Sequence, residues 1–212
     1  MEKLMNNLRK NNMEPYFVQT KEEVVPLLKT LIPAGATGTT GGSVTLNETG
    51  VLDLLRSGEY NFLDRFAPNL SREDVEEIFR KAFSADVYLA SANALTEKGE
   101  IYNVDGNSNR VAAILFGPKS VILVVGKNKI VPDIQAAAER VKRIAAPLNC
   151  KRLHVGSYCE KAGACVSLRH DNSSMCDGCD SDGRICCSYT VLSHQRQKNR
   201  IKVIIVNEDL GY

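Results

Sequence analysis

Residues 120–126 read SVILVVG. Five apolar residues, Val121 to Val125, follow one another without alternation, four of them β-branched, between Lys119 and Gly126. A strand with one face in water alternates apolar and polar side chains, so an unbroken run predicts a strand covered on both faces, as at the centre of a parallel sheet. The pattern holds on either side. Val111–Phe116 is apolar enough for a buried helix, Val87–Ala90 (VYLA) reads as a second buried strand, and Pro132 starts a long helix through about Ala145.

Farther out, Ser71 and Asp74 open a helix over Arg72–Phe83 with Val75, Ile78 and Phe79 inward. Met1–Asn12 reads as a helix with Leu4, Met5 and Leu8 on one face, Tyr16–Gln19 as a short strand, and Lys21–Leu31 as a helix capped by Thr20. Glu100–Val104 is a short extended piece, and IKVIIVN (201–207) is a final strand. Strands alternating with helices predict an α/β fold: one domain over 1–212, a mostly parallel open sheet with helices on both faces. Gly156–Cys187 interrupts the alternation with an irregular segment that holds six of the seven cysteines.

Charge excludes some partners. The chain has 27 Lys and Arg against 25 Asp and Glu, a net +2, so no field of one sign draws it to nucleic acid or an anionic membrane. No run of signal-peptide length opens the sequence, and no stretch approaches the roughly 20 apolar residues that cross a bilayer. The expectation is a soluble cytoplasmic protein. In that compartment thiols stay reduced, and clustered cysteines more often serve metal or redox chemistry than disulfides.

Two stretches carry candidate binding chemistry. ATGTTGGSVTLNETG (36–50) is a small-residue strand ending at Gly41, Gly42 and Ser43, before a helix starting near Thr45, which has capping-box spacing to Glu48. Free N–H groups there favour a phosphate or carboxylate, and the same residues also suit a tight turn with an N-cap. SANALTEKGEIYNVDGNSNR (91–110) crowds Asn93, Thr96, Glu97, Asn103, Asp105, Asn107, Asn109 and Arg110 beside the VYLA strand. Loops after strands form the ligand edge of an open α/β sheet.

These stretches, with NRVAAILFGPKSVILVVGKNKIV (109–131) and AAERVKRIAAPLNCKRL (137–153), resemble the lactate-utilisation (LUD) domain family. The resemblance runs from about GGSVTLNETG to the terminal VIIVNEDLGY. It implies a fold similar to the ribose-phosphate isomerase, glucosamine-phosphate deaminase and CoA-transferase group, and a part in a bacterial iron-sulfur system that oxidises L-lactate to pyruvate. On that fold the glycine loop, here Gly41, Gly42 and Ser43, holds an anion. Glu97 and Asp105 are then the acid-base candidates at the same edge, and Asn103, Asn109 and Arg110 the ligand contacts, Arg110 clamping a carboxylate.

Many members of that family also end in a compact cysteine pattern: Cys-x5-Cys containing Thr-Gly, an overlapping Cys-x2-Cys, and a further Cys in a Ser-Pro-x-Arg-Ile-Cys run. This chain has Cys159-EKAGA-Cys165, Cys176-DG-Cys179 and Cys179-DSDGRI-Cys186, with ten residues separating Cys165 from Cys176, Ala162 for the threonine and Gly183 for the proline. Cys159, Cys165, Cys176, Cys179 and Cys186 thus compete for four ligand roles to a 4Fe-4S iron-sulfur cluster or, alternatively, zinc. His170 is a substitute ligand, and Cys176 with Cys179 alone would make a redox dithiol. Cys150 reads as an ordinary buried thiol, Cys187 as a spare neighbour of Cys186, and His154 and His194 as structural or exposed. The implied partners are a small anionic metabolite, other subunits of a lactate-oxidising complex, and further copies of the chain. A second reading is a stand-alone enzyme or sensor of a phosphorylated or CoA-linked metabolite with structural zinc. A third is an assembly scaffold. No nucleotide-binding fingerprint is present.

Overall fold

The computed structural model describes residues 1–171 and 173–212. In chain order its strands are β1 Glu14–Val18, β2 Thr37–Thr40, β3 Asn61–Leu63, β4 Val87–Ala90, β5 Ala94–Thr96, β6 Ile101–Asp105, β7 Ser120–Gly126, β8 Ile130–Val131, β9 Ser188–Leu192 and β10 Ile201–Val206. The helices are α1 Glu2–Lys10, α2 Val24–Leu31, α3 Val44–Glu48, α4 Val51–Arg56, α5 Arg72–Lys81, α6 Asn109–Phe116, α7 Ile134–Arg140, α8 Ala146–Leu153 and α9 Tyr158–Ala162.

Six strands form a wholly parallel sheet in the order β1-β10-β7-β4-β2-β3. Val121 to Val125 are fully buried, because β7 lies between β10 and β4 and both of its faces are covered. On one face Val121, Leu123 and Val125 pack with Ile201, Val203 and Ile205 of β10, Leu4 and Leu8 of α1, and Ile114 of α6. On the other, Ile122 and Val124 meet Leu28 of α2, Leu46 of α3, and Val51 and Leu55 of α4. Each such side chain contributes about 1.5–3 kcal/mol on burial, which is why this element needs no turn chemistry to define it.

A second, four-stranded sheet, β8-β5-β6-β9, was not expected. Its strands β5 and β8 span three and two residues, too short for a period to register, and β9 is only half-buried. The helix after Pro132 also departs from expectation. Asp133 caps it by accepting from the Ala136 N–H at 2.9 Å, and it runs past Ala145 through a π-helical stretch, Val141–Ala145, into α8. Pro147 is tolerated because the preceding wide turn already interrupts the ladder its missing N–H would have joined. This bent helix packs Ala137, Val141, Ala145 and Ala146 on Ala94, Tyr102 and Val104 of the small sheet.

Three local expectations are corrected. Ser43, not Thr45, caps α3, its Oγ accepting from the Leu46 N–H at 3.3 Å, while Thr45 is buried within the first turn and Glu48 accepts from Gly211 N–H. A short 3-10 turn at Lys21–Glu23 precedes α2, and the Thr20 side chain makes no capping bond. The apolar helix α6 exposes Phe116, 86% open, because one of its faces lies outward. The capping box at Ser71 and Asp74 is present. Among the described residues, no helix is long and apolar enough to cross a membrane.

Candidate functional site

Parallel strands end at a common edge, and five of them deliver side chains to one cleft there. Gly42 and Ser43 follow β2, Arg65 follows β3, Ser91 follows β4, Lys129 follows β7, and Tyr212 comes after β10. Asp105, Asn109 and Arg110 enter from the β6–α6 junction, and Asn149 and Arg152 from α8. The cleft has a volume of about 380 Å³.

Among the described side chains, four cations line the cleft, Arg65, Arg110, Lys129 and Arg152, with Asp105 the one side-chain carboxylate. Asp105 is already spent. Its Oδ1 accepts from Arg110 Nε at 2.9 Å and its Oδ2 from the backbone N–H groups of Arg110 and Val111 at 3.0 and 3.1 Å. Arg110 is spent too. Its remaining four N–H groups reach the Ser91 carbonyl, Asn103 Oδ1, Asn93 Oδ1 and the Val104 carbonyl, at 2.7 to 3.1 Å. All five donors of the guanidinium are therefore taken by protein acceptors. This pair fixes the loop and the start of α6, leaving no fork to grip a carboxylate.

The other cations are less compensated. The Arg65 guanidinium stacks on the Phe66 and Phe79 rings, 5.0 and 4.6 Å from their centroids, its Nε is buried without a partner among the described residues, and burial lowers its pKa. Arg152 donates to Tyr212 Oη and Asn149 Oδ1, both at 2.7 Å. Lys129, only 2% exposed, donates from Nζ to Thr45 Oγ1 at 2.8 Å and Ser91 Oγ at 3.0 Å. Burial, reinforced by the charges of Arg140 and Arg110, pushes its ammonium down to about 7. A cleft with this surplus of positive charge favours an anion.

Beside it lies a second, much smaller cavity of about 20 Å³, lined by Cys150, Cys159, Cys165, Cys179 and Cys186 with Tyr102, Met175 and other apolar groups, and with Lys142, Asp177 and Arg184. Burial raises the pKa of Cys150 and of Cys186 to about 12, the neighbouring thiols adding to the effect. Burial opposes ionisation of Cys179 as well, but hydrogen bonds from the Ser181 side chain and surrounding backbone outweigh it and its pKa falls. Cys159 Sγ lies 3.6 Å from Cys150 Sγ. The Tyr102 hydroxyl is buried with no partner among the described residues. Val141, Ala146, Ile185 and Cys186 belong to the walls of both cavities.

In the irregular CDGCDSDGRICC loop (176–187) one side chain bridges three turns of the chain, alongside bonds made by Asp177, Ser181 and Tyr189. Arg184 donates to the carbonyls of Cys186, Cys179 and Cys176 at 2.8, 3.1 and 2.8 Å, supplying order that the loop's apolar content does not. At Gly183 a Cβ would collide with the Val155 carbonyl oxygen, so glycine is required there.

The LUD domain model matches residues 1–206. The chain belongs to the LUD domain family. A crystal structure of a DUF162 family protein from Deinococcus radiodurans superimposes with a TM-score of 0.52 at 16% identity, covering 97% of this chain and 94% of that one. It shares the fold. A Pseudomonas malonate decarboxylase hetero-tetramer in complex with malonate aligns over 63% of this chain and 33% of that one, at 16% identity and a TM-score of 0.34. No curated protein matches the chain.

On this LUD fold the expected site residues divide. Gly42, Ser43, Asp105, Asn109 and Arg110 line the cleft. Gly41 lies behind it, where a Cβ would come within 3.0 Å of the Arg110 side chain and 3.1 Å of Tyr88 Oη. Asn103 is buried and holds Arg110. Glu97 is outside: it sits on the exposed turn between β5 and β6, where its carbonyl accepts from Asn7 of α1. Of the cysteines, Cys176 is exposed and outside the thiol cavity, as is His170, whereas Cys150 is inside it. Arg65, Lys129 and Arg152 were missed. For Lys129 the signal was present, since GKNKIV directly follows the central strand at the ligand edge.

Proposed function

We propose that this LUD domain protein takes part in oxidation of a small hydroxy acid, L-lactate, as a component of an iron-sulfur redox assembly, with the anion in the cationic cleft and the cluster in the thiol cavity. The observation that carries the reading is the shared wall: Ile185 and Cys186 border both cavities. A redox group held by Cys186 would lie against the bound metabolite.

The thiols are the donor type such a group takes, while the space of about 20 Å³ between them means that the cavity walls must move to admit it. Buried Cys150 and Cys159, half-buried Cys165, Cys179 and Cys186, and a tyrosine hydroxyl with no partner among the described residues make a soft-donor shell, in which burial holds the Cys150 and Cys186 thiols protonated unless a cation compensates. Cys159, Cys165, Cys179 and Cys186 would hold the cluster, and Cys150 is the fifth thiol at hand. When bound, such a cluster supplies one-electron transfer. A single zinc ion requires four donors at about 2.3 Å from one point. Among the described residues, no group of three or more His, Cys, Asp and Glu stands gathered for any metal ion, so zinc and a cluster alike would require the thiols to draw together on binding.

The chain's own groups do the rest. Arg65, Lys129 and Arg152 supply the charge that attracts a carboxylate, Arg110 and Asp105 fix the floor, and the apolar wall of Val141, Ala146 and Ile185 keeps water from the thiols. The second reading, a phosphorylated or CoA-linked ligand, draws on the cleft's volume of about 380 Å³, more than lactate fills. Calorimetric titration with L-lactate, inorganic phosphate and coenzyme A separates the two. Tight binding of coenzyme A with none of lactate would displace the first.

A further inference from the structure

Lys129 has the surroundings of a nucleophile as well as of a counter-charge. Its Nζ has two acceptors, and the two hydroxyls that accept have their own protons placed elsewhere: Thr45 Oγ1 donates to the Leu210 carbonyl at 3.3 Å and Ser91 Oγ to the Ala92 carbonyl at 3.4 Å. An amine that gives both of its hydrogens to Thr45 and Ser91 has its lone pair on the remaining side, where no protein partner meets it among the described residues. Lys129 is part of the cleft wall.

We propose that Lys129 captures the carbonyl carbon of an anionic aldehyde or ketone as a reversible Schiff base, the carboxylate or phosphate of the ligand being held by the neighbouring Arg65 and Arg152. The inference rests on the cleft being the ligand site and is separate from the cluster. The Nζ lone pair forms the N–C bond as the carbonyl π pair moves to oxygen, which takes a proton. Loss of that oxygen as water, with the proton balance supplied by solvent in the cleft, leaves the protonated imine. Carbon and nitrogen keep their oxidation levels, so no oxidant is needed.

The groups facing the amine favour its neutral form near physiological pH. Arg140 of α7 and Arg110 of α6 repel a charge there, and Glu48 of α3 is the opposing carboxylate. With its pKa lowered to about 7, a far larger fraction of this amine is neutral at pH 7 than of an ordinary lysine, for which it is less than about one in a thousand.

The test is reductive trapping of the full chain with glyoxylate and sodium cyanoborohydride, with peptide mass mapping. Glycolaldehyde phosphate serves as the phosphate arm and propanal as the uncharged control. The expected result is carboxymethylation at Lys129 ahead of every exposed lysine, rising through pH 7, slower with propanal and with added oxalate, absent at this position in Lys129→Arg and slowed in Thr45→Val. Faster trapping of one anionic arm identifies the preferred anion. Labelling confined to exposed lysines, or a Lys129 rate that rises only near pH 10, would overturn the proposal. Calorimetric binding of glyoxylate without trapping overturns the covalent step alone, whereas no binding of any of these anions overturns the cleft as the ligand site.

Discussion

Replacing Lys129 by Met should change how stability depends on pH in a direction that the burial of the amine dictates. The folded-state pKa is lowered from 10.5 to about 7. For a base so depressed, the folded chain binds fewer protons than the unfolded chain between those two values. The penalty is fully present below about pH 7 and is relieved as pH rises toward 10.5. Each pH unit inside that window is worth about 1.4 kcal/mol, so between pH 7 and pH 9 wild type should gain about 2–3 kcal/mol relative to Lys129→Met. Taking the difference between the two proteins removes the opposite trend from Cys150 and Cys186, whose raised pKa values lower stability as pH rises above about 9. Urea unfolding followed by circular dichroism at half-unit pH intervals gives the curve. Parallel pH profiles for the two proteins would refute the reasoning, because they would mean that Lys129 titrates alike in folded and unfolded chains.

Other substitutions probe the two cavities. Gly42→Asp puts a carboxylate where the structure has open space, so anion affinity by calorimetry should fall at least about tenfold while circular dichroism is unchanged. Arg184→Gln removes charge-assisted bonds to three carbonyls, a loss of about 3–5 kcal/mol concentrated on residues 176–187; hydrogen exchange should quicken there and not in β7. Asp105→Asn leaves Arg110 without its counter-charge and should cost about 1–3 kcal/mol of stability, measured by urea unfolding. Chelation of metal-loaded protein should open the Gly156–Cys187 segment to limited protease while the parallel sheet stays intact, because metal binding supplies order that this segment's few apolar groups cannot.

The parallel sheet was legible because its signal is local and repeated: VILVV, VYLA and IKVIIV each announce burial on two faces without help from distant residues. The small sheet was not, since β5 and β8 are too short to carry a period and exist because they pair with β6 and with each other. The cleft was half legible. The polar crowd near Asp105 and Arg110 marked the edge, but those two residues neutralise each other, and the surplus charge comes from Arg65, Lys129 and Arg152, scattered over the chain. Glu97 lies apart from the cleft because β5 and β6 form a hairpin that carries its turn toward α1. Among the thiols, sequence spacing favoured Cys176 over Cys150. The fold places them the other way about, because α8 turns Cys150 inward against Cys159, a buried thiol as expected, while Arg184 draws only the carbonyl of Cys176, leaving its thiol in solvent.

The claim on which the proposed function depends is that the thiol cavity holds an iron-sulfur cluster next to the anion. Anaerobic reconstitution with iron and sulfide, followed by elemental analysis and electron paramagnetic resonance of the dithionite-reduced protein, tests it most directly. The expected result is about four irons and four sulfides per chain, a reduced-cluster signal lost in Cys179→Ser, and a change in that signal when L-lactate is added, transmitted through Cys186. Less than half an equivalent of iron, with all seven thiols alkylated in the unfolded reconstituted protein at the level of the untreated chain and no resonance on reduction, would contradict it.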